Sequence, residues 1–188
     1  AQAVRPQLDG ADRDGVLVIR ELTDAGELKR RLGDRRPRAA VVIGAGYVGV
    51  ELAEALHARG CRVTLLERSE QLVTGFDPHL ASLVRTELER NGIHVHTGVT
   101  LERITADRTV ETDRGAFPAD VVVLATGVRP NVGLAAAAGV HLGAQGAIAV
   151  DDQLRTNLPG VWAAGDCATT WHRVLRRPAW IPLGTTAN

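Results

Sequence analysis

Methionine is absent from this 188-residue chain, cysteine occurs twice, and aromatic residues make up 3% of it. Each scarcity excludes something. Cys61 and Cys167 stand far apart and in no CxxC, so neither a disulfide-stapled secreted domain nor a dithiol–disulfide cycle is written here. Both read as small buried thiols. Net charge is absent too: 22 basic residues balance 22 acidic ones. No global field therefore recruits nucleic acid or a membrane surface. No apolar run is long enough to span a bilayer, and no secretory signal is visible. The cytoplasm, where thiols stay reduced, is the simplest home. With Ala at position 1 and no Met anywhere, the native N-terminus is expected to be missing.

What is present is aliphatic. Hydrophobic residues reach 45%, dominated by Ala, Val and Leu, as in α/β proteins whose buried parallel strands are continuous aliphatic runs. The most informative stretch is Val41-Val42-Ile43-Gly44-Ala45-Gly46-Tyr47-Val48-Gly49-Val50-Glu51. An apolar run ends in Gly-x-Gly-x-x-Gly, a helical pattern follows, and a second run, Val63-Thr64-Leu65-Leu66, ends in Glu67. Gly44 permits a tight strand-to-helix turn. Gly46 lets backbone approach a pyrophosphate, and Gly49 lets the helix pack close to the strand. The helix N-terminus offers free N–H groups and partial positive charge to phosphates. Glu67 stands where a carboxylate accepts hydrogen bonds from an adenosine ribose. Strand, glycines, helix, strand and acid together make a dinucleotide-binding signal that the glycines alone would not.

Around this core, residues 1–15 read as a polar loop and 16–19 as a short strand. A helix is expected from the capping-box pair Asp24 and Glu27 to about Leu32. Strands are expected at 39–43, 62–66, 93–96 and 121–125. One helix should bury Val48, Leu52, Ala55 and Leu56 and end at Gly60. Another, begun at Pro78, should bury Leu80, Leu83, Val84 and Leu88 and stop at Asn91-Gly92. Residues 99–117 read as three short antiparallel pieces, 131–138 as a short helix, 148–150 and 161–164 as further strands, and 171–188 as irregular. The fold class is thus α/β: a Rossmann-like parallel sheet with helices on both faces and an inserted antiparallel meander.

Four ordered segments also resemble a known family, the pyridine nucleotide-disulfide oxidoreductases. The stretch from Gly44 to Glu51 resembles its NAD(P)H-binding motif. Ala125-Thr126-Gly127-Val128-Arg129-Pro130-Asn131 resembles its second signature, at the end of a nicotinamide-domain strand. Gly160-Val161-Trp162-Ala163-Ala164-Gly165-Asp166 resembles its late FAD motif. Ile181-Pro182-Leu183-Gly184-Thr185-Thr186-Ala187-Asn188 is similar to the stretch beside the flavin in the NADH oxidase and coenzyme A-disulfide reductase branch. The resemblance covers almost the whole chain.

It implies hydride transfer from NAD(P)H to FAD, then electrons to a disulfide, to oxygen or peroxide, or to a partner protein. Gly44, Gly46, Tyr47, Val48, Gly49 and Thr126 would line the dinucleotide, with the missing side chain of Gly127 leaving room for the nicotinamide, unless it is an ordinary strand-ending glycine. Tyr47 matches an aromatic ring that covers the flavin and swings aside; its plain alternative is a helix-start aromatic packed on its neighbours. Glu51 matches an acid near the carboxamide, or else complements the helix dipole. Gly165 and Asp166 would face the flavin ribityl chain, Asp166 also being able to cap a following helix. Glu67 favours NADH, since a 2′-phosphate would meet a like charge; Arg68 beside it keeps NADPH open.

Only one of the family's two Gly-x-Gly-x-x-Gly folds is in this chain. The expected organisation is a partial FAD-domain segment at 1–35, an NAD(P)H-binding domain at 36–150 and a second partial FAD-domain segment at 151–188. The chain is then a piece lacking the FAD fingerprint, the redox cysteine and a dimerisation domain, the whole protein being a homodimer with FAD. Such a piece should bind a nicotinamide dinucleotide and hold FAD poorly. The alternative is a standalone NAD(H)-binding or redox-sensing module without turnover. A methyltransferase using S-adenosylmethionine would share the glycine turn and acid but not the two later motifs. The basic cluster Lys29, Arg30, Arg31, Arg35, Arg36 and Arg38 reads as a solvated helix end. His94 and His96 share a strand face but lack a third ligand. Trp180 is a packing residue with a possible flavin or partner contact.

Overall fold

The computed structural model describes residues 1–33 and 38–182. These divide into two compact units, Ala3–Gly127 and a second made of Ala1–Gln2 with Val128–Asn188. The chain passes through β1 (Gln2–Ala3), β2 (Val16–Val18), α1 (Leu22–Leu32), β3 (Ala39–Ile43), α2 (Tyr47–Ala58), β4 (Arg62–Leu66), α3 (Pro78–Arg90) and β5 (His94–His96). A meander of β6 (Leu101–Ile104), β7 (Val110–Thr112) and β8 (Gly115–Phe117) precedes β9 (Val121–Leu124).

Five strands form one parallel sheet in the order β2-β9-β3-β4-β5. The central runs are buried on both faces, which is why they are aliphatic without alternation. Ala40, Val42, Val63, Leu65, Val121 and Val123 point to one face and pack with Leu28, Leu32, Ala53, Leu56 and Leu88 from α1, α2 and α3. Val41, Ile43, Leu66, Val122 and Leu124 point to the other and meet Ile104 and Val110 of the meander. The Rossmann-like sheet and its inserted antiparallel meander follow the sequence pattern. Its second face, where helices were also expected, is met by that meander.

Local chemistry sets the helix ends and stripes, not always where the sequence suggests. α1 starts three residues early: Asp24 is an inner acceptor, taking the N–H groups of Arg20 and Glu21 at 2.8 Å each. Glu27 is drawn instead to Arg30 and Arg31. α2 buries Gly49, Ala53 and Leu56, leaving Val48 half exposed. α3 is capped by Asp77, which accepts from His79 N–H at 2.9 Å, and has Pro78 in its first turn. It buries Ala81 and Leu88 with Val84 packed beside them, and Leu80 and Leu83 face outward. In both helices the small residue sits innermost because the helix lies close to the sheet.

The second unit holds β10 (Val128–Arg129), α4 (Gly133–Ala137), a short 3-10 turn and a hairpin of β11 (Thr170–His172) and β12 (Arg177–Ala179). The strands expected at 148–150 and 161–164 are not there. Ile148 makes single bridges to Leu142 and Ala168, and Trp162 one to Arg155. Each run is held by a few bonds that do not repeat as a ladder: Ala163 N–H bonds Leu154 O and Thr156 N–H bonds Val161 O, both at 3.0 Å, and Ala149 N–H bonds His141 O at 2.9 Å. The hairpin lies in sequence that reads as irregular. Leu183 to Asn188, four of them polar or glycine, fall outside the described residues, as do Arg35 and Arg36.

Candidate functional site

At the carboxyl ends of β3, β4 and β9 a cavity of about 530 Å3 opens in the first unit. Crevices beyond strand ends are where open parallel sheets take ligands. Six of the residues singled out in the sequence line it together: Gly44, Gly46, Glu67, Arg68, Thr126 and Gly127.

The turn between β3 and α2 is fixed from several sides. Gly44 has φ +99°, which side-chain-bearing residues rarely adopt, and a Cβ there would overlap the Ala125 carbonyl. A Cβ on Gly49 would overlap the Gly44 carbonyl oxygen. Gly46 is the N-cap of α2, and nothing would meet a Cβ added to it, so that side is open. Gly44 N–H bonds Leu66 O at 2.8 Å, and Val50 N–H closes the first helical bond to Gly46 O at 3.0 Å. The amides of Tyr47, Val48 and Gly49 precede that bond and have no carbonyl below them within α2, leaving donors and the helix dipole directed at the opening.

Glu67 reaches back to the same turn. Its Oε2 accepts from Ala45 N–H at 2.7 Å and its Oε1 from Ser69 N–H at 2.8 Å. A carboxylate has about four acceptor positions, so lone pairs remain for a further hydroxyl. Across the cavity Thr126 Oγ1 donates to Val4 O at 2.8 Å, and Val4 N–H bonds Gly127 O at 2.9 Å. Val4, Pro6 and Gln7 thereby form one wall and Val99, Thr100 and Leu101 another. Sequence reasoning missed both walls. The second had a signal, because Val99 follows the carboxyl end of β5, on the side of the sheet where parallel sheets take ligands; residues 4–7 carry none.

Tyr47, Val48, Gly49 and Glu51 do not line the cavity. Gly49 is buried beneath the turn, while Val48 and Glu51 are exposed on α2. Tyr47 turns its ring to Phe76, centroids 5.6 Å apart and planes at 75°. Phe76 ends a loop fastened to the turn by Val73 N–H, which donates to Ala45 O at 2.8 Å. Val73 is buried at φ +43°, a conformation that costs a β-branched residue about 1–3 kcal/mol.

Gly165 and Asp166 belong to the second unit. Trp180 donates its indole N–H to the Asp166 carbonyl at 2.8 Å, so Trp180 is partnered within its own unit. Asp166 caps no helix: Ala168 and Thr169 are buried beyond it and β11 follows. Cys167 Sγ lies 3.3 Å from the Ala164 carbonyl oxygen. Of the basic cluster, Arg30 and Arg31 hold the Glu27 carboxyl down at about 2 by hydrogen bonds, and Arg38 pairs with Asp120 at 3.4 Å. Among the described residues no group of three His, Cys, Asp or Glu side chains is placed to hold a metal ion. No described helix is long and apolar enough to cross a membrane.

The sequence profile of the pyridine nucleotide-disulphide oxidoreductases matches residues 1–182. A CoA-dependent NAD(P)H sulfur oxidoreductase of Pyrococcus abyssi is 35% identical over 187 residues, covering 97% of this chain and 42% of the relative. An NADH oxidase of Methanocaldococcus jannaschii is 34% identical over 191 residues, covering 100% of this chain and 42% of the relative. The structure of a NAD-dependent persulfide reductase from A. fulgidus superposes with a TM-score of 0.93 at 34% identity, over 99% of this chain and 35% of that one. The chain thus spans less than half the length of these relatives. It belongs to the pyridine nucleotide-disulphide oxidoreductase family, whose members use FAD and NAD(P)H.

Proposed function

We propose that this member of the family binds a nicotinamide dinucleotide, NAD(H) in preference to NADP(H), in the crevice above β3, β4 and β9. The observation that carries the reading is Glu67: its carboxylate lines the same cavity as Gly44, Gly46, Thr126 and Gly127 while bonding the glycine turn itself. The diphosphate rests on the first-turn amides of α2, where Gly46 leaves space for it. The adenosine ribose lies against Glu67 with Arg68 beside it, and the nicotinamide end lies towards Thr126 and Gly127. A carboxylate at the ribose repels a 2′-phosphate, hence the preference for NADH.

In the whole protein a dinucleotide held by Gly44, Gly46, Glu67, Thr126 and Gly127 would supply a hydride for FAD, with a disulfide, oxygen or peroxide, or a partner protein as the final electron acceptor. Tyr47 and Glu51 would act near the reacting ring. The proposed NAD(P)H-binding domain is 36–150 joined by β2 and α1, which complete its sheet and core; 151–188, with Gly165 and Asp166, is the proposed FAD-side segment, and the whole protein is a homodimer.

Titration calorimetry of the chain with NADH and NADPH tests the binding reading. NADH should bind the more tightly. Glu67→Gln replaces one of the two oxygens that accept from the Ala45 and Ser69 amides by an NH2 donor, removes the charge, and should weaken NADH about tenfold, about 1.4 kcal/mol. Binding of neither nucleotide to the folded chain would sink the proposal.

A further inference from the structure

We propose that Phe76 is a positioning residue for Tyr47, and that the loop bearing it is a strap that keeps the tyrosine ring clear of the dinucleotide crevice. The inference rests on the nucleotide reading above and adds a control to the same site. Tyr47 is the first residue of α2: its backbone N–H belongs to the phosphate cradle, while its ring, on the next bonds out, lies outside the cavity that Gly46 lines. Phe76 meets the ring edge to face at 5.6 Å, the favoured arrangement for two aromatic quadrupoles.

Phe76 is in turn held by its own loop. Its N–H bonds Val73 O at 2.7 Å, and its carbonyl accepts from Gln71 Nε2 at 3.1 Å. Val73 is anchored twice, by its buried side chain in the core and by its N–H on Ala45 O of the glycine turn. The left-handed backbone of Val73 is what lets one residue do both. Gly75 completes the fit: a Cβ there would stand 3.7 Å from the Tyr47 hydroxyl, with nothing else so near. Turn, strap and ring are therefore one connected piece. Loosening Phe76 frees a half-exposed ring beside the open face of Gly46, where it obstructs the nucleotide.

Tyr47 is the chain's one tyrosine, so labelling with 3-fluorotyrosine gives a single fluorine resonance. Without nucleotide, Phe76→Leu should shift and broaden that resonance, while Phe76→Trp, which keeps an aromatic edge, should restore a single sharp line. With nucleotide, Phe76→Leu should weaken NADH about threefold to tenfold, the range an aromatic pair is worth, and in a Tyr47→Ala background the same substitution should cost nothing further. A purely structural role for Phe76 predicts the same loss in both backgrounds. A resonance unchanged by Phe76→Leu overturns the proposal, as does an equal affinity loss in the Tyr47→Ala background. If wild type binds no NADH, the nucleotide reading fails, and the fluorine spectra still decide whether Phe76 positions Tyr47. Should Phe76→Leu not fold, Phe76→Met is read in its place by the same two criteria.

Discussion

The unit Ala3–Gly127 and the unit that follows it draw on the same kinds of residue and put them to different use. In the first, β3, β4 and β9 each have a strand on both sides, and Val42, Val63, Leu65 and Val123 are inaccessible to solvent. In the second, an equally apolar run, Val161-Trp162-Ala163-Ala164, makes a single bridge, and Trp162 remains 63% exposed. Leu134, Val174 and Trp171 are exposed as well. The run does bond residues 154–156, through Ala163 N–H to Leu154 O and Thr156 N–H to Val161 O, so the contrast teaches that an aliphatic run becomes a strand only when such pairing continues in register over several residues. Hydrophobicity proposes; pairing decides.

Four substitutions test how deep the contrast goes. Leu65→Ala removes a fully buried side chain from the centre of the sheet and should cost about 3 kcal/mol in urea denaturation. All three tryptophans, Trp162, Trp171 and Trp180, lie in the second unit. The variant should therefore lower the far-ultraviolet dichroism midpoint more than the indole fluorescence midpoint; equal shifts would merge the two regions into one cooperative unit. Gly49→Ala forces α2 away from the Gly44 carbonyl, and about 2 kcal/mol of stability should go with NADH binding. Asp77→Ala strips the cap from α3 and should cost about 1 kcal/mol without touching nucleotide affinity. Trp162→Ser, on the exposed run of the second unit, should stay within about 0.5 kcal/mol of wild type. A larger loss there would mean that the run is more tightly held than its exposure indicates.

The centre of the molecule was legible because strand and turn chemistry are local. Ala39–Ile43, the Gly44–Gly46 turn and Arg62–Leu66 lie where the aliphatic runs and glycines put them. Helix stripes were less so: choosing Leu80 and Leu83 over Ala81 overlooked that a small residue lets a helix approach a sheet closely. At the site, Gly44, Gly46, Glu67, Arg68, Thr126 and Gly127 could be named from spacing and resemblance and meet in one cavity. Val4 and Gln7 could not, because nothing in a polar N-terminal segment announces which strand ends it will cross. The partnership of Tyr47 with Phe76 was equally hidden, since a left-handed Val73 creates it and no propensity anticipates a valine there.

The strand order carries a kinetic consequence. β3 bonds to β4 on one side and to β9 on the other, yet β9 is made only after two more helices and the whole meander. During synthesis the middle of the sheet must wait with one flank uncovered, a sticky ribbon open to other chains. Closing so distant a pair is slow, and the crevice has no far wall until it happens. Assembly of the crevice and the last step of sheet formation are thus the same event.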